Sequence, residues 1–183
     1  MSLKDNFELL ARYNRWMNQK VYAAAERLPR ADLHADRGAF FGSVFGTLNH
    51  ILVADTLWLK RFAKHPAGFP SLRYMASLPT PVSLAQQLYS ELGELRRARV
   101  TMDDVIIDMT GEAHDTDYEV KLTYANTSGQ TFTRQLSPLM QHVFNHQTHH
   151  RGQITTLLNQ AGIDVGVTDL AMMVMEEDRD QVN

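Results

Sequence analysis

The chain has 183 residues, 44% of them hydrophobic and 21% charged, with a formal net charge of -3. That composition belongs to an ordinary globular protein, and we read residues 1–183 as one domain with its own core. It excludes a general nucleic-acid binder with a basic face, a membrane span of ~20 apolar residues, and, in the complete absence of cysteine, any disulfide framework or protein thiol.

The N-terminal Met1-Ser2-Leu3-Lys4-Asp5 lacks the apolar core of a signal peptide, so a cytoplasmic location is expected. Four stretches then carry helical periodicity. The first runs from about Leu3 to Leu28, with Leu9, Tyr13, Trp16, Met17, Lys20 and Ala24 at steps of three and four, and Pro29 closes it. The second runs from about Ser43 to Phe62. Its seam, Val44, Leu48, Ile51, Asp55, Trp58 and Phe62, contains one carboxylate. A loop with Pro70, Pro79 and Pro81 follows, long enough to imply a role or a path around the helices. The third helix is expected after Ser83 as N-cap, with Leu88, Leu92, Leu95, Met102, Val105 and Met109 as its stripe. The segment Tyr118–Arg134 alternates polar and apolar residues around the turn-forming Ala125-Asn126-Thr127-Ser128-Gly129-Gln130, the pattern of a β-hairpin. Ser137-Pro138 opens the fourth helix and Ala161-Gly162 ends it. The apolar run Leu170–Met175 is expected to pack back on the helices, with the last few residues frayed. The expected fold class is all-α, four helices with a small β-hairpin inserted before the last.

Eight histidines remain to be explained, and they are densest between Gln141 and Gln153. Each helical residue turns by ~100°, so His146 and His150, four apart, leave one face. Leu139, Val143, Leu157 and Ala161 lie on that side, which must be buried, whereas His142 and His149 flank it. Two imidazoles so placed can converge on an ion ~2.0–2.1 Å from each nitrogen. His50, set among Thr47, Ala54 and Leu57 beside the seam of the second helix, is the natural third ligand. Without cysteine, any metal must be held by nitrogen and oxygen. Three histidines plus water is the pattern of a catalytic metal, and closed structural sites normally use four protein ligands. Spacing alone leaves open that these are hydrogen-bonded core histidines.

Asp55, alone in an apolar seam, needs a partner, for which Arg151 or a tyrosine would serve. Gln153 is placed to hydrogen-bond a ligand imidazole or to lie on a solvated edge. Trp16 and Trp58 read as core. Arg96, Arg97 and Arg99 read as a solvated face open to an anionic substrate, and Lys60, Arg61 and Lys64 as a second solvated face. No residue stands out as a general base, so catalytic residues stay unassigned.

Leu10-Ala11-Arg12-Tyr13-Asn14-Arg15-Trp16-Met17-Asn18 and Leu48-Asn49-His50-Ile51-Leu52-Val53-Ala54-Asp55-Thr56-Leu57-Trp58-Leu59 resemble the first two helices of the DinB family. Asn145-His146-Gln147-Thr148-His149-His150-Arg151-Gly152-Gln153 and the terminal Asp169-Leu170 extend the likeness, in the family's order, over nearly the whole chain. The resemblance implies an up-down-down-up four-helix bundle whose divalent metal, zinc or nickel, is held by His50, His146 and His150. It also implies a homodimer. Some relatives bind a low-molecular-weight thiol at the metal and transfer it to an electrophile, or drive a thiol-assisted isomerisation. The Met-rich Ala171-Met172-Met173-Val174-Met175 departs from the pattern.

Two functions from different classes fit. One is a metal-dependent thiol S-transferase or isomerase, or a hydrolase using water at the same site. Its partner is a small-molecule substrate, and the nucleophile comes from the cosubstrate because the chain has no cysteine. The other is a non-catalytic, stress-induced metal-binding or interaction protein. An open ligand position favours the first, a saturated site the second.

Overall fold

In the computed structural model of the protein, residues 1–180 are described, and they are mostly helical with one small antiparallel sheet. The elements in chain order are α1 (Leu3–Ala25), α2 (Arg30–His34), α3 (Val44–Phe62), a 3-10 segment (Pro70–Ala76), α4 (Leu92–Glu112), α5 (Asp115–Glu119), β1 (Lys121–Ala125), β2 (Thr131–Gln135), α6 (Leu136–Gln160) and α7 (Leu170–Asp180). The expected fraying of the last few residues falls on 181–183, outside the described residues.

Local chemistry sets most of the boundaries. Ser2 and Asp5 form a capping box at α1, each side chain accepting from the other's backbone N–H. The Ser43 hydroxyl caps α3 by accepting from the Gly46 N–H at 2.9 Å. Gly162 takes the left-handed conformation, φ 77, just past α6. The hairpin pairs Leu122 with Arg134 and Tyr124 with Phe132, and Asn126 Oδ1 collects the Ser128 and Gln130 N–H groups in the turn.

α1 packs against α4 and α6, and α3 packs against α6 and α4. Lys4 reaches Gly111 and Arg96 reaches Glu26, so α1 and α4 run antiparallel. Phe7 stacks on Phe144 and Arg151 bonds Asn14, so α1 and α6 run parallel. Contacts of His50 with His146 and of Trp58 with His142 make α3 antiparallel to α6. The core joins Phe7, Phe45, Leu48, Phe62, Leu95, Met109, Phe144 and Leu158 from all four. Fully burying each such side chain is worth ~1.5–3 kcal/mol. The tail α7 lies on α1 through buried Met173 and the Trp16–Glu176 and Arg12–Glu177 contacts.

Four expectations need correction. α6 begins at Leu136 with Gln135 as its N-cap, so Ser137 lies inside the first turn and does not cap it. Tyr118 and Glu119 belong to α5, and the paired strands begin only at Lys121. α4 begins at Leu92, not after Ser83, because the Leu88 and Tyr89 N–H groups donate to Asn49 Oδ1 at 2.9 and 3.2 Å instead of entering a helix. Arg99 is not on a solvated face. It is 2% exposed, and its guanidinium donates to the carboxylate of Asp55. No described helix is long and apolar enough to cross a membrane.

Candidate metal centre

α3 and α6 bring His50, His146 and His150 together, with ligand nitrogens all within 4.8 Å of one another. His50 and His150 are buried and His146 is half-buried, whereas His142 and His149 are exposed. Ring centroids lie 5.0, 4.5 and 4.4 Å apart for the three pairs. The Nε2 atoms of His50 and His146 are 3.0 Å apart. Two nitrogens on one tetrahedral ion would be separated by roughly 3.3 Å, from ~2.0–2.1 Å bonds.

The ring orientations are fixed from outside. His50 Nδ1–H donates to the Leu84 carbonyl at 2.8 Å, and His150 Nδ1–H donates to Gln153 Oε1 at 2.8 Å. Since a carbonyl oxygen can only accept, both rings carry their proton on Nδ1 and turn the Nε2 lone pair inward. The Gln153 amide then donates to His149 Nε2 at 3.2 Å, which joins the exposed histidine to the buried one. Phe41 stacks on His50 at 3.6 Å and meets His150 edge-on at 5.6 Å, covering one side of the cluster.

Burial lowers the pKa of all three imidazoles, and for His146 the two neighbouring rings add to it, bringing its pKa to about 3. Neutral imidazole is the metal-ligating form. Among the described residues no carboxylate joins the group. The donor set is therefore three neutral nitrogens, which suits a borderline divalent cation better than calcium or magnesium.

Behind the cluster lies a buried polar network that the sequence revealed only in part. Asp55 accepts from Arg99 and, at 2.9 Å, from Gln147. Asp103 accepts from Asn14 and Asn18 at 3.0 and 2.9 Å and lies 3.1 Å from Arg99. Arg151 donates to Asn14 and to Gln147, so it is one step removed from Asp55 and not its direct partner. Burial pushes both carboxyls up, with Arg99 pulling them back. Burial brings Arg151 to about 10, still charged at neutral pH. Two carboxylates face two guanidiniums, so the buried charge sums to zero. Gln147 and Arg151 lie within one turn of His146 and His150, and the network holds that turn of α6 in register against α1, α3 and α4.

Two cavities flank the cluster along α3, and neither is lined by a cluster histidine. One, of ≈ 370 Å³, adjoins Phe41 and Asn49, and the other, of ≈ 520 Å³, lies at the far end of α3.

A mostly helical chain that brings three imidazoles together, two buried and one half-buried, defines a candidate metal-binding protein. The DinB family model matches residues 1–180, and the chain belongs to the DinB family. It is similar to Protein DinB of Bacillus subtilis (strain 168), 27% identical over 170 residues, or 89% of this chain and 90% of that protein. No solved structure matches.

Proposed function

We propose that the protein is a metal-dependent enzyme in which His50, His146 and His150 hold one divalent ion, zinc or nickel, and a low-molecular-weight thiol is transferred to an electrophile or assists an isomerisation. The observation that carries this reading is the cluster itself. Three neutral imidazoles converge, two of them pre-oriented by Leu84 and Gln153, with no fourth protein ligand among the described residues. A bound divalent cation supplies Lewis acidity and lowers the pKa of a thiol or water. The chain supplies everything else. Phe41 keeps water from one face, Gln153 and Leu84 fix the donors, and the absence of cysteine leaves the thiol to the cosubstrate. The reading also includes the up-down-down-up bundle, supported by parallel α1 and α6 with α3 and α4 running opposite. It further includes a cytoplasmic homodimer, which sedimentation as a monomer at micromolar concentration would remove.

The test uses protein purified without a nickel column. Metal analysis should return one divalent ion per chain. A panel of small thiols with a chromogenic electrophile should show turnover that disappears on chelation. A fully loaded protein inert across the panel would leave the non-catalytic metal-binding module as the better reading.

A further inference from the structure

At the C-terminal end of α3 the cavity of ≈ 520 Å³ is walled by Leu57, Met75, Pro81 and Val82 and closed on one side by the hairpin turn at Ala125–Thr127. No carboxylate lines it, but three cations do: Lys60, Arg61 and Lys64. Lys60 is already engaged, its Nζ donating to the carbonyls of Met75 and Leu78 at 2.6 Å. Arg61 is half-buried and lies over the rings of Trp58, at 4.5 Å, and Tyr124, at 5.4 Å. No hydrogen bond to a described residue uses the Arg61 N–H donors, which stand ready for another group. Neither Arg61 nor Lys64 forms an ion pair with any described residue. The guanidinium is thus placed over two rings, without a counter-charge among the described residues, at the edge of an open cavity where Leu57, Met75 and Pro81 adjoin the polar Thr80, Asn126 and Thr127.

We propose that this cavity binds a small organic anion with an apolar body, its charged head on Arg61 and Lys64 and its body against Leu57, Met75 and Val82. Apolar walls select the body by burial, and the planar fork of Arg61 selects a carboxylate or similar head. The C-terminal carbonyls of α3 disfavour an anion, so two unpaired cations are what the site requires. Leu57 is two turns from His50, ~10 Å along the helix. Trp58 touches His142, which in turn lies 5.9 Å from His146. A ligand here therefore lies on the same helix as His50, two turns away from the histidine cluster. The site stands on its own residues and does not require the metal.

The experiment is calorimetric titration of the full chain, stripped of metal, with sodium octanoate and with octanamide, which has the same body and no charge. Octanoate should bind, octanamide much more weakly. R61Q should weaken octanoate roughly tenfold or more, as loss of a charge-assisted hydrogen bond implies, while R61K keeps part of the affinity. Metal content should be the same in R61Q and wild type, and His146→Ala should bind octanoate like wild type, which separates this site from the metal reading. Equal binding of the two ligands, no binding of octanoate, or an R61Q that binds as wild type would each overturn the proposal.

Discussion

At the scale of single residues, His149 and His150 are neighbours with opposite roles. His150 is buried and points its Nε2 into the cluster, whereas His149 is exposed, meets the His150 ring edge-on at 4.9 Å and is bonded by Gln153, but places no nitrogen in the cluster. We expect His150→Ala, His146→Ala and His50→Ala to abolish stoichiometric metal binding and His149→Ala to spare it, read as metal per chain after dialysis. A His149→Ala protein without metal beside a loaded His150→Ala would put the wrong histidine in the site. The same residues set a pH response. Burial depresses the folded-state pKa of all three rings, His146 to about 3, while in the unfolded chain a histidine titrates near ~6.5. Between those values the unfolded state binds more protons. The metal-stripped protein is therefore most stable above about pH 6.5 and loses stability as pH falls through the window. The urea midpoint should drop between about pH 7 and about pH 5. In His146→Ala the drop should be shallower, and an unchanged slope there would show that other groups carry it.

At the scale of elements, the sequence was most legible where a single period governs a long stretch. The start of α3 at Ser43, the end of α6 at Gly162 and the position of the hairpin turn followed from local chemistry, whereas the start of α6 did not, because Ser137 lies inside a helix that Gln135 begins. Where a distant side chain competes for backbone donors, local reading failed. Asn49 captures the amides of Leu88 and Tyr89, so a stripe that continued upstream to Leu88 was not helix there. The short α5, capped by His114 and Asp117, was too brief to show a period. Arg99 sits in a run of arginines that reads as solvent-facing, and only the fold shows that it meets Asp55. Replacing Arg99 by Leu strands Asp55 and should cost ~3–5 kcal/mol in urea unfolding. A cost below ~1 kcal/mol would mean that the pair is not held as described. Gly46, in the first turn of α3, was also passed over. A methyl group there would lie 2.2 Å from the Phe41 carbonyl, so Gly46→Ala must push away the loop that lays Phe41 on His50. The expected result is ~1–3 kcal/mol of destabilisation with weakened metal retention, measured side by side. Unchanged values would show that the loop shifts at no cost.

At the scale of the molecule, the cluster joins α3 to α6, while the loop between the 3-10 segment and α4 is fastened by Leu84 on His50 and by Leu88 and Tyr89 on Asn49. An ion bound only by the native state stabilises it by mass action, about 2.7 kcal/mol when free metal stands roughly a hundredfold above Kd. Chelation should accordingly lower the melting temperature of wild type and leave His150→Ala unchanged. An equal fall in both would trace the effect to the chelator.

The clamp formed by Asn49 and His50 has a consequence for motion. Adjacent residues of one helix grip the same loop, one by accepting two of its amides, the other by donating to one of its carbonyls. Whatever steadies the imidazole must steady the loop, and by reciprocity whatever frees the loop must loosen the imidazole's hold on its ligand. We therefore expect the deuterium uptake of the Leu88 and Tyr89 amides to be slower with a divalent metal added than in the stripped protein, and equal uptake in the two would sever the loop from the histidines. A protease or a point change that opens this loop would discharge the metal without touching a ligand.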